Sequence, residues 1–434
     1  MIAGPLFQNV SAASTGRALL SRADPGRARL AAQFGLECGL TSSGGVIAPK
    51  FMAAFQCVGG ACEETCCADF LVDVDRATFK TYMAVKDPVL GGKLRTLVRK
   101  RVDATPEAFG RIALTASGEC PFLDPQRLCS IQNALGESAL SHTCSAFPRA
   151  RWARDGQSYL GGKLSCPEAA RLCVSSADAM DLGAGPALAA ATDADSAARQ
   201  AAHAAVADAL RDPTLPVWKA ILLAGVLAND VLADAGAQAT PDEGAVRDFA
   251  AKARSELAGA GFELGDQTLQ QLKLLIDIVL GASARCNASR NRFPHIAQTA
   301  LDAIFEGAED FDGAAANYRR LYRDRFQAFD AAHDHALRNY VLNYVFNNQL
   351  FLTGPAFPQF QGLAVRYGIM RLLLVGLAGA RPQGLSIADY AAVVSSASRI
   401  LDHDASVGGD IHRALDAIEP RSFSLAARMV IPPG

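Results

Sequence analysis

The stretch FQCVGGACEETCCADF, Phe55 to Phe70, sets four thiols, Cys57, Cys62, Cys66 and Cys67, within eleven residues. Such crowding arises from crosslinking, from metal ligation or by chance, and each origin restricts the fold differently. Chance is a poor account. Nine of the eleven cysteines lie between Cys57 and Cys173, leaving only Cys38 before them and Cys286 after. Crosslinks are not needed for size, because 434 residues can bury substantial cores without them. The first residues carry scattered Arg and Ser but no apolar run of the kind that directs secretion, so they read as an extension preceding the folded part. The expected compartment is therefore the cytoplasm, where thiols stay reduced and stable disulfides are rare.

Metal ligation remains, and the soft thiolate donors favour zinc or iron–sulfur over magnesium or calcium. The candidate ligands are Cys57, Cys62, Cys66, Cys67, Cys120, Cys129, Cys144 and Cys166. Their intervals are four, three and zero intervening residues, then eight, fourteen and twenty-one after Cys120, which lacks the doubled C-x2-C of common zinc sites. A C-x3-C-x2-C signature also fails, because Asp69 stands where its third cysteine would be. If residues 62–67 were helical, Cys62 and Cys66 would share a face while Cys67 pointed about 100° away, towards another vertex or another ligand set. Cys120 and Cys166 each precede a proline, which fixes extended backbone and is expected to expose the thiol. Eight thiols allow one four-ligand centre with four spare, or two four-ligand centres. Spacing does not choose between these.

The predicted fold class is mainly α, with an irregular Cys-rich metal-cluster domain followed by a large all-α helical domain. Residues 1–48 form the extension, 49–175 the Cys-rich domain, 176–195 an Ala-, Gly- and Asp-rich connector and 196–434 the helical domain. In the first domain FLVDVD suits a short strand, Asp75 caps a helix over RATFKTYMAV, and Asp103 or Thr105 starts another around PEAF. A further short helix follows Cys129 and ends at Gly136. In the second domain Tyr318, Leu321, Tyr322, Arg325, Phe326 and Phe329 recur at helical spacing, as do Leu337, Tyr340, Val341, Tyr344 and Val345. The windows AILLAGVLANDVLA and IMRLLLVGLAGA are apolar but short and interrupted, so they read as core helices and not as membrane spans. A formal net charge of −2 with a fifth of residues charged offers no electrostatic case for nucleic acid or an anionic membrane.

Other signals are weaker. FPRARWARDG sets Arg149, Arg151 and Arg154 around Trp152, just after Cys144. It reads as a basic turn, with Arg149 a candidate for holding a cofactor carboxylate or phosphate near the metal. His333 and His335 read as solvated helix residues, and Asn339, Asn343 and Asn347 as the solvent side of their helix. Arg285, Arg290 and Arg292 read as a solvated loop. No dinucleotide or P-loop glycine motif occurs in the chain.

The ordered set Phe55, Cys57, Cys62, Cys66, Cys67, then Cys120, Pro121, Phe122, Leu123, Leu128, Cys129, Ile131, Gly136, Leu140, Thr143, Cys144, Phe147, Pro148 and Arg149, then Leu164, Ser165, Cys166, Pro167 and Glu168 resembles the flagellin lysine-N-methylase family. Its cysteine part is also similar to a wider group of zinc- or iron-chelating Cys-cluster proteins. SRNRFPHI and RNYVLNYVFNNQLF resemble the family's helical part more loosely. The resemblance implies a cytoplasmic enzyme that moves a methyl group from S-adenosylmethionine to lysine ε-amines of flagellin, with a 4Fe-4S cluster held by these cysteines. The alternative is a non-catalytic zinc- or iron-chelating protein whose helical domain binds a partner; about 240 residues of helix exceed what a chelator requires.

Overall fold

In the computed structural model the described residues are 45–68, 70–154, 156–183, 194–232, 241–262, 267–286, 291–403 and 405–433. Cys38, Arg290 and residues 1–44 of the expected extension lie outside them.

One helical turn, α1 (Lys50–Ala53), leads into the cysteine loop. A small lobe follows, built from β1 (Asp73–Val74), α2 (Arg76–Met83), α3 (Pro88–Leu97), β2 (Val98–Lys100), β3 (Gly110–Ile112), α4 (Ser130–Leu135) and α5 (His142–Ala146). Asp75 starts α2 as expected, its carboxylate accepting the Ala77 and Thr78 amides, and Asp87 does the same for α3. The strands form an antiparallel sheet in the order β1-β3-β2, with Arg111 facing both Asp73 and Arg99. Asp73 pairs with Arg101 and Arg111, each at 2.8 Å, and so pins the sheet edge. No helix forms at Asp103 or Thr105, contrary to the expectation. The Arg101 amide donates to the Phe109 carbonyl at 3.0 Å and the Ala108 amide to Thr105 Oγ1 at 3.1 Å, so the segment closes the β2–β3 hairpin. The lobe's own core is small, centred on Val74, Tyr82, Leu94, Ile112, Phe122 and Ile131.

The hydrophobic clusters divide the chain elsewhere than its composition does. The hairpin β4 (Arg149–Arg154) and β5 (Gln157–Gly162) and the helix α6 (Pro167–Ser175) follow the small lobe in sequence. Phe51, Met52, Leu164, Cys166, Ala169 and Cys173 nevertheless belong to the large core of the helical lobe. Thus the small core spans Val72 to Ile131, while both flanks of the Cys-rich region pack into the other lobe. The basic segment read as a turn is strand β4, paired throughout with β5.

The helical lobe comprises α7 (Ala194–Arg211), α8 (Val217–Val226), α9 (Glu243–Gly259), α10 (Thr268–Ser283), α11 (Phe293–Ile304), α12 (Phe311–Leu321), α13 (Gln327–Ala332), α14 (His335–Asn347), α15 (Ala356–Ala380), α16 (Ile387–Leu401), α17 (Ala405–Ile418) and α18 (Phe423–Val430). Wider π-turns at Leu227–Val231 and Tyr322–Phe326 extend α8 and join α12 to α13. The apolar window expected to be short lies inside the 25-residue α15, which is long and apolar enough to cross a membrane by length and composition, with 89% of its most apolar window buried within the fold. It serves as the axis of the lobe. At Gly376 it approaches α11 so closely that a side chain would overlap Ala300. Its buried Arg371 donates from Nη2 to the carbonyls of Met429 at 3.0 Å and Ile431 at 2.8 Å where α18 ends, while its Nε finds no partner.

The asparagine stripe is likewise not a solvent face. Asn339 donates to the carbonyls of Cys173 at 2.9 Å and Ser176 at 2.7 Å, while Asn343 and Asn347 both donate to Gly162 O, at 3.2 and 2.7 Å. These amides tie α14 to β5 and α6, because strand and helix ends leave carbonyls that a buried seam must satisfy. Gly161 and Gly162 make the approach possible: a side chain at the first would overlap Asn347, and at the second Phe51 and Met52.

Candidate metal centre

The cysteine loop folds back on itself through local bonds. A 3-10 turn at Gly59–Ala61 follows Cys57, whose sulfur accepts the Gly59 amide at 3.4 Å. Cys62 donates to Glu64 O at 3.2 Å, and the Cys67 amide to Thr65 Oγ1 at 3.1 Å. Residues 62–67 are bends and turns, so the helical geometry considered for Cys62 and Cys66 does not apply.

Two arginines, one on α6 and one on α16, fix this loop. Arg171 on α6 bonds Glu63 at 2.6 Å and also pairs with Glu168, drawing the loop onto the first turn of α6. Cys166 is the N-cap of that helix. Arg399 on α16 is only 4% exposed and donates to the carbonyls of Thr65 at 3.1 Å and Ala68 at 2.6 Å, bracketing Cys66 and Cys67. Its guanidinium also lies 4.5 Å from the centre of the Phe70 ring. Phe70 meets His403 edge-on at 4.8 Å, and His403 Nε2 lies 2.6 Å from Ser165 Oγ.

The other candidates sit on the small lobe. The Cys120 amide donates to Cys67 O at 2.8 Å, and Ala68 bridges Glu119 beside it. Cys129 bridges Leu123 and caps α4, and Cys144 lies within α5. Cys120, Cys129 and Cys144 all lie against the small core.

All eight candidate thiols are free. The Cys67 thiol is brought down to about 7 by the hydrogen bond it accepts from Cys66, with Thr65 and the Arg399 charge adding to the effect against burial. Cys66, the donor, is correspondingly raised. Burial pushes Cys144 up to about 11, and Cys120 and Cys166 up to about 12. Uncharged thiols suit these apolar positions until a cation arrives to compensate them. Among the described residues no three Cys, His, Asp or Glu side chains stand close enough to hold an ion together, so the thiols are electrostatic neighbours and not a closed coordination shell. The donor set itself, eight free thiols, has the chemistry a thiophilic metal requires.

Cys173 is fully buried on α6 with its thiol aimed at Asn339 O, and Cys286 bonds back to Ala282 O at 3.3 Å; neither joins the group. The Cys-Pro expectation holds for the backbone of Cys166, which is extended, but its side chain is buried and not exposed. Arg149 is half-buried with its guanidinium 5.3 Å from the Phe55 ring centre, and Arg154 reaches away to Gln349 Oε1 at 3.2 Å. His333 stacks on Phe329 at 4.2 Å and, like His335, is half-buried, which corrects their reading as solvated residues.

Glu64 and Arg399 carried no sequence signal. Glu64 is 3% exposed; its Oε1 accepts the Arg292 amide at 3.0 Å, and its Oε2 is buried without a partner. Arg399 Nη1 is similarly unpartnered. A buried carboxylate two residues before Cys66 is detectable only in three dimensions.

The helical lobe that supplies Arg399 defines the class of protein. The FliB lysine N-methylase C-terminal domain matches residues 203–429, more than half of the chain, and the chain belongs to that family. Among its relatives, the flagellar biosynthetic protein FliU of Salmonella muenchen is 38% identical over 142 residues, 32% of this chain and 82% of the relative. The lysine-N-methylases of Salmonella typhimurium (strain LT2) and Salmonella choleraesuis (strain SC-B67) are each 38% identical over 141 residues, 32% of this chain and 34% of their own length. The match therefore spans about a third of those two proteins. No solved structure matches the chain.

Proposed function

We propose that this chain is a protein-lysine N-methyltransferase that transfers the methyl group of S-adenosylmethionine to lysine ε-amines of flagellin, with a thiolate-held 4Fe-4S cluster at the cysteine loop. Family membership and the names of the relatives support the reaction class. The observation that carries the reading is Arg399: a side chain of the family's defining domain bonds the backbone on both sides of Cys66 and Cys67. The thiol loop and the methylase domain thereby form one unit.

A lysine ammonium ionises at about 10.4, and only the neutral amine can attack the methyl carbon of a sulfonium. Freeing that lone pair at pH 7 costs about 4.6 kcal/mol, which a site lowers by desolvating the ammonium or offering a base. Glu64 is the candidate acceptor, since its Oε2 is buried with nothing bonded to it. As the nitrogen–carbon bond forms, the carbon–sulfur bond breaks, its electron pair returns to sulfur, and the nitrogen's proton passes to the carboxylate. Arg149, beside Phe55, is the candidate partner for the cofactor's carboxylate. Bound at the loop, an iron–sulfur cluster supplies iron that can hold the amino-acid end of a sulfonium cofactor or pass an electron.

The test is coexpression with flagellin under anoxic conditions, followed by mass analysis of flagellin lysines. Methylated lysines that are lost in Glu64→Gln, with the cysteine loop intact, support the reading. Unmodified flagellin beside a fully metal-loaded protein rejects it and favours a chelator.

A further inference from the structure

Arg399 has donors that the cysteine loop does not use. Its bonds to Thr65 O and Ala68 O both come from Nη2, whereas Nη1 is buried with no acceptor on a residue only 4% exposed. Among the described residues no carboxylate pairs with it. The Phe70 ring, 4.5 Å from the guanidinium centre, attracts the charge but supplies no oxygen. A full positive charge kept from water without an anion is costly, and the cost falls away when an anion binds. Glu64 is the mirror case, 3% exposed with Oε2 unbonded. It directly precedes Thr65, whose carbonyl Arg399 holds at 3.1 Å. One turn thus presents an unsatisfied anion and an unsatisfied cation.

The surroundings of Arg399 lead towards the surface. Phe70 and Phe147 are both half-buried, with ring centres 5.9 Å apart. Arg149, matched above to the cofactor's carboxylate, stands two residues after Phe147, beside the same aromatic cluster. We propose that Arg399, through Nη1, is a second donor with Arg149 for the carboxylate at the amino-acid end of the sulfonium cofactor. This rests on the reading above that the chain uses such a cofactor, and it adds a side chain of the helical lobe to the cofactor's site. A carboxylate has two oxygens and about four lone-pair directions, so it can accept from two guanidinium groups at once. The charges on the turn then sort the two reactants. The substrate's ammonium is drawn to Glu64, and the cofactor's carboxylate to Arg399.

The experiment measures, by titration calorimetry on the full chain purified without oxygen, the binding of two probes: S-adenosylhomocysteine and its decarboxylated form. The wild-type chain is expected to prefer the probe that carries the carboxylate. Arg399→Gln is expected to shrink that preference by about 10- to 150-fold, the worth of one hydrogen bond to a charged group. A purely structural Arg399 weakens both probes alike and leaves their ratio unchanged. An unchanged ratio in the folded variant therefore overturns the proposal, as does a wild-type chain that binds both probes equally. Should Arg399→Gln not fold, Arg149→Gln decides: a preference that survives there supports the second donor, and one abolished there overturns it. Failure to bind either probe rejects the cofactor part of the reading above together with this inference, whereas binding without discrimination rejects the inference alone.

Discussion

Arg399 joins the methylase domain to the thiol turn, and replacing it by methionine isolates that role. Methionine keeps an apolar stem in the buried position and removes both bonds and the charge. Two charge-assisted hydrogen bonds, to Thr65 O at 3.1 Å and Ala68 O at 2.6 Å, are worth about 1.5–3 kcal/mol each. The contact with Phe70 adds about 0.5–1 kcal/mol. Against these stands the cost of burying a guanidinium whose Nη1 finds no partner, which returns several kcal/mol when the charge is removed. The net expectation for Arg399→Met is a loss of about 2–3 kcal/mol, concentrated at the turn. Native-state hydrogen exchange of the amides from Thr65 to Ala68 should then speed up by about 30- to 150-fold, since every 1.4 kcal/mol is tenfold. Arg399→Lys should recover only part of the loss, because both bonds come from Nη2, which lies beyond the end of the shorter lysine side chain. Unchanged exchange at this turn in Arg399→Met, with an unchanged denaturation midpoint, would refute the claim that the helical lobe holds the thiol loop.

Four further outcomes are expected. Cys173→Ala should leave bound metal unchanged and cost only about 1 kcal/mol, since that thiol sits in the apolar core of α6; metal analysis beside urea melts checks it. Gly161→Ala should destabilise by about 1–3 kcal/mol through overlap with Asn347, and a double-mutant cycle with Asn347→Ala should show coupling that relieves part of the loss. Burial lifts Asp330 to about 6, although Tyr390 donates to it at 2.9 Å; Asp334, His333 and Arg371 are the other charged groups acting on it. The folded chain therefore keeps a proton that the unfolded chain releases from its ordinary value of 3.8 upward, so this contribution is full below 3.8 and is lost as pH rises through about 6. Asp330→Asn should accordingly gain about 2–3 kcal/mol on wild type above pH 6 and nothing at pH 3, read from denaturant midpoints across that range. Stripping metal with a chelator should raise hydrogen exchange throughout Val72 to Cys144 more than in α15, because the small core is the one with few apolar residues of its own.

Much of the local structure was legible because it depends on neighbours in sequence. Asp75 caps α2 because a carboxylate three residues away reaches the free amides, and Gly136 ends α4 because it adopts a positive φ of 86°. Helical periodicity likewise marked the apolar faces of α12 and α14. The misreadings share one origin. Asn339 and Asn343 look solvent-facing by polarity, yet they are buried because carbonyls of β5 and α6 arrive from nearly two hundred residues away in the chain. The segment at Thr105 has helix-starting residues but is claimed by pairing with Phe109 in a hairpin.

What the chain determined by sequence alone is its thiol inventory and its helical character, both of which follow from residue type and short-range spacing. The division of those thiols between two cores, the clasp of Arg399 on their turn and the unpartnered oxygen of Glu64 were decided only by tertiary structure. Each depends on which distant backbone and side-chain groups are brought into reach when apolar faces are buried, and a linear pattern does not encode that distance.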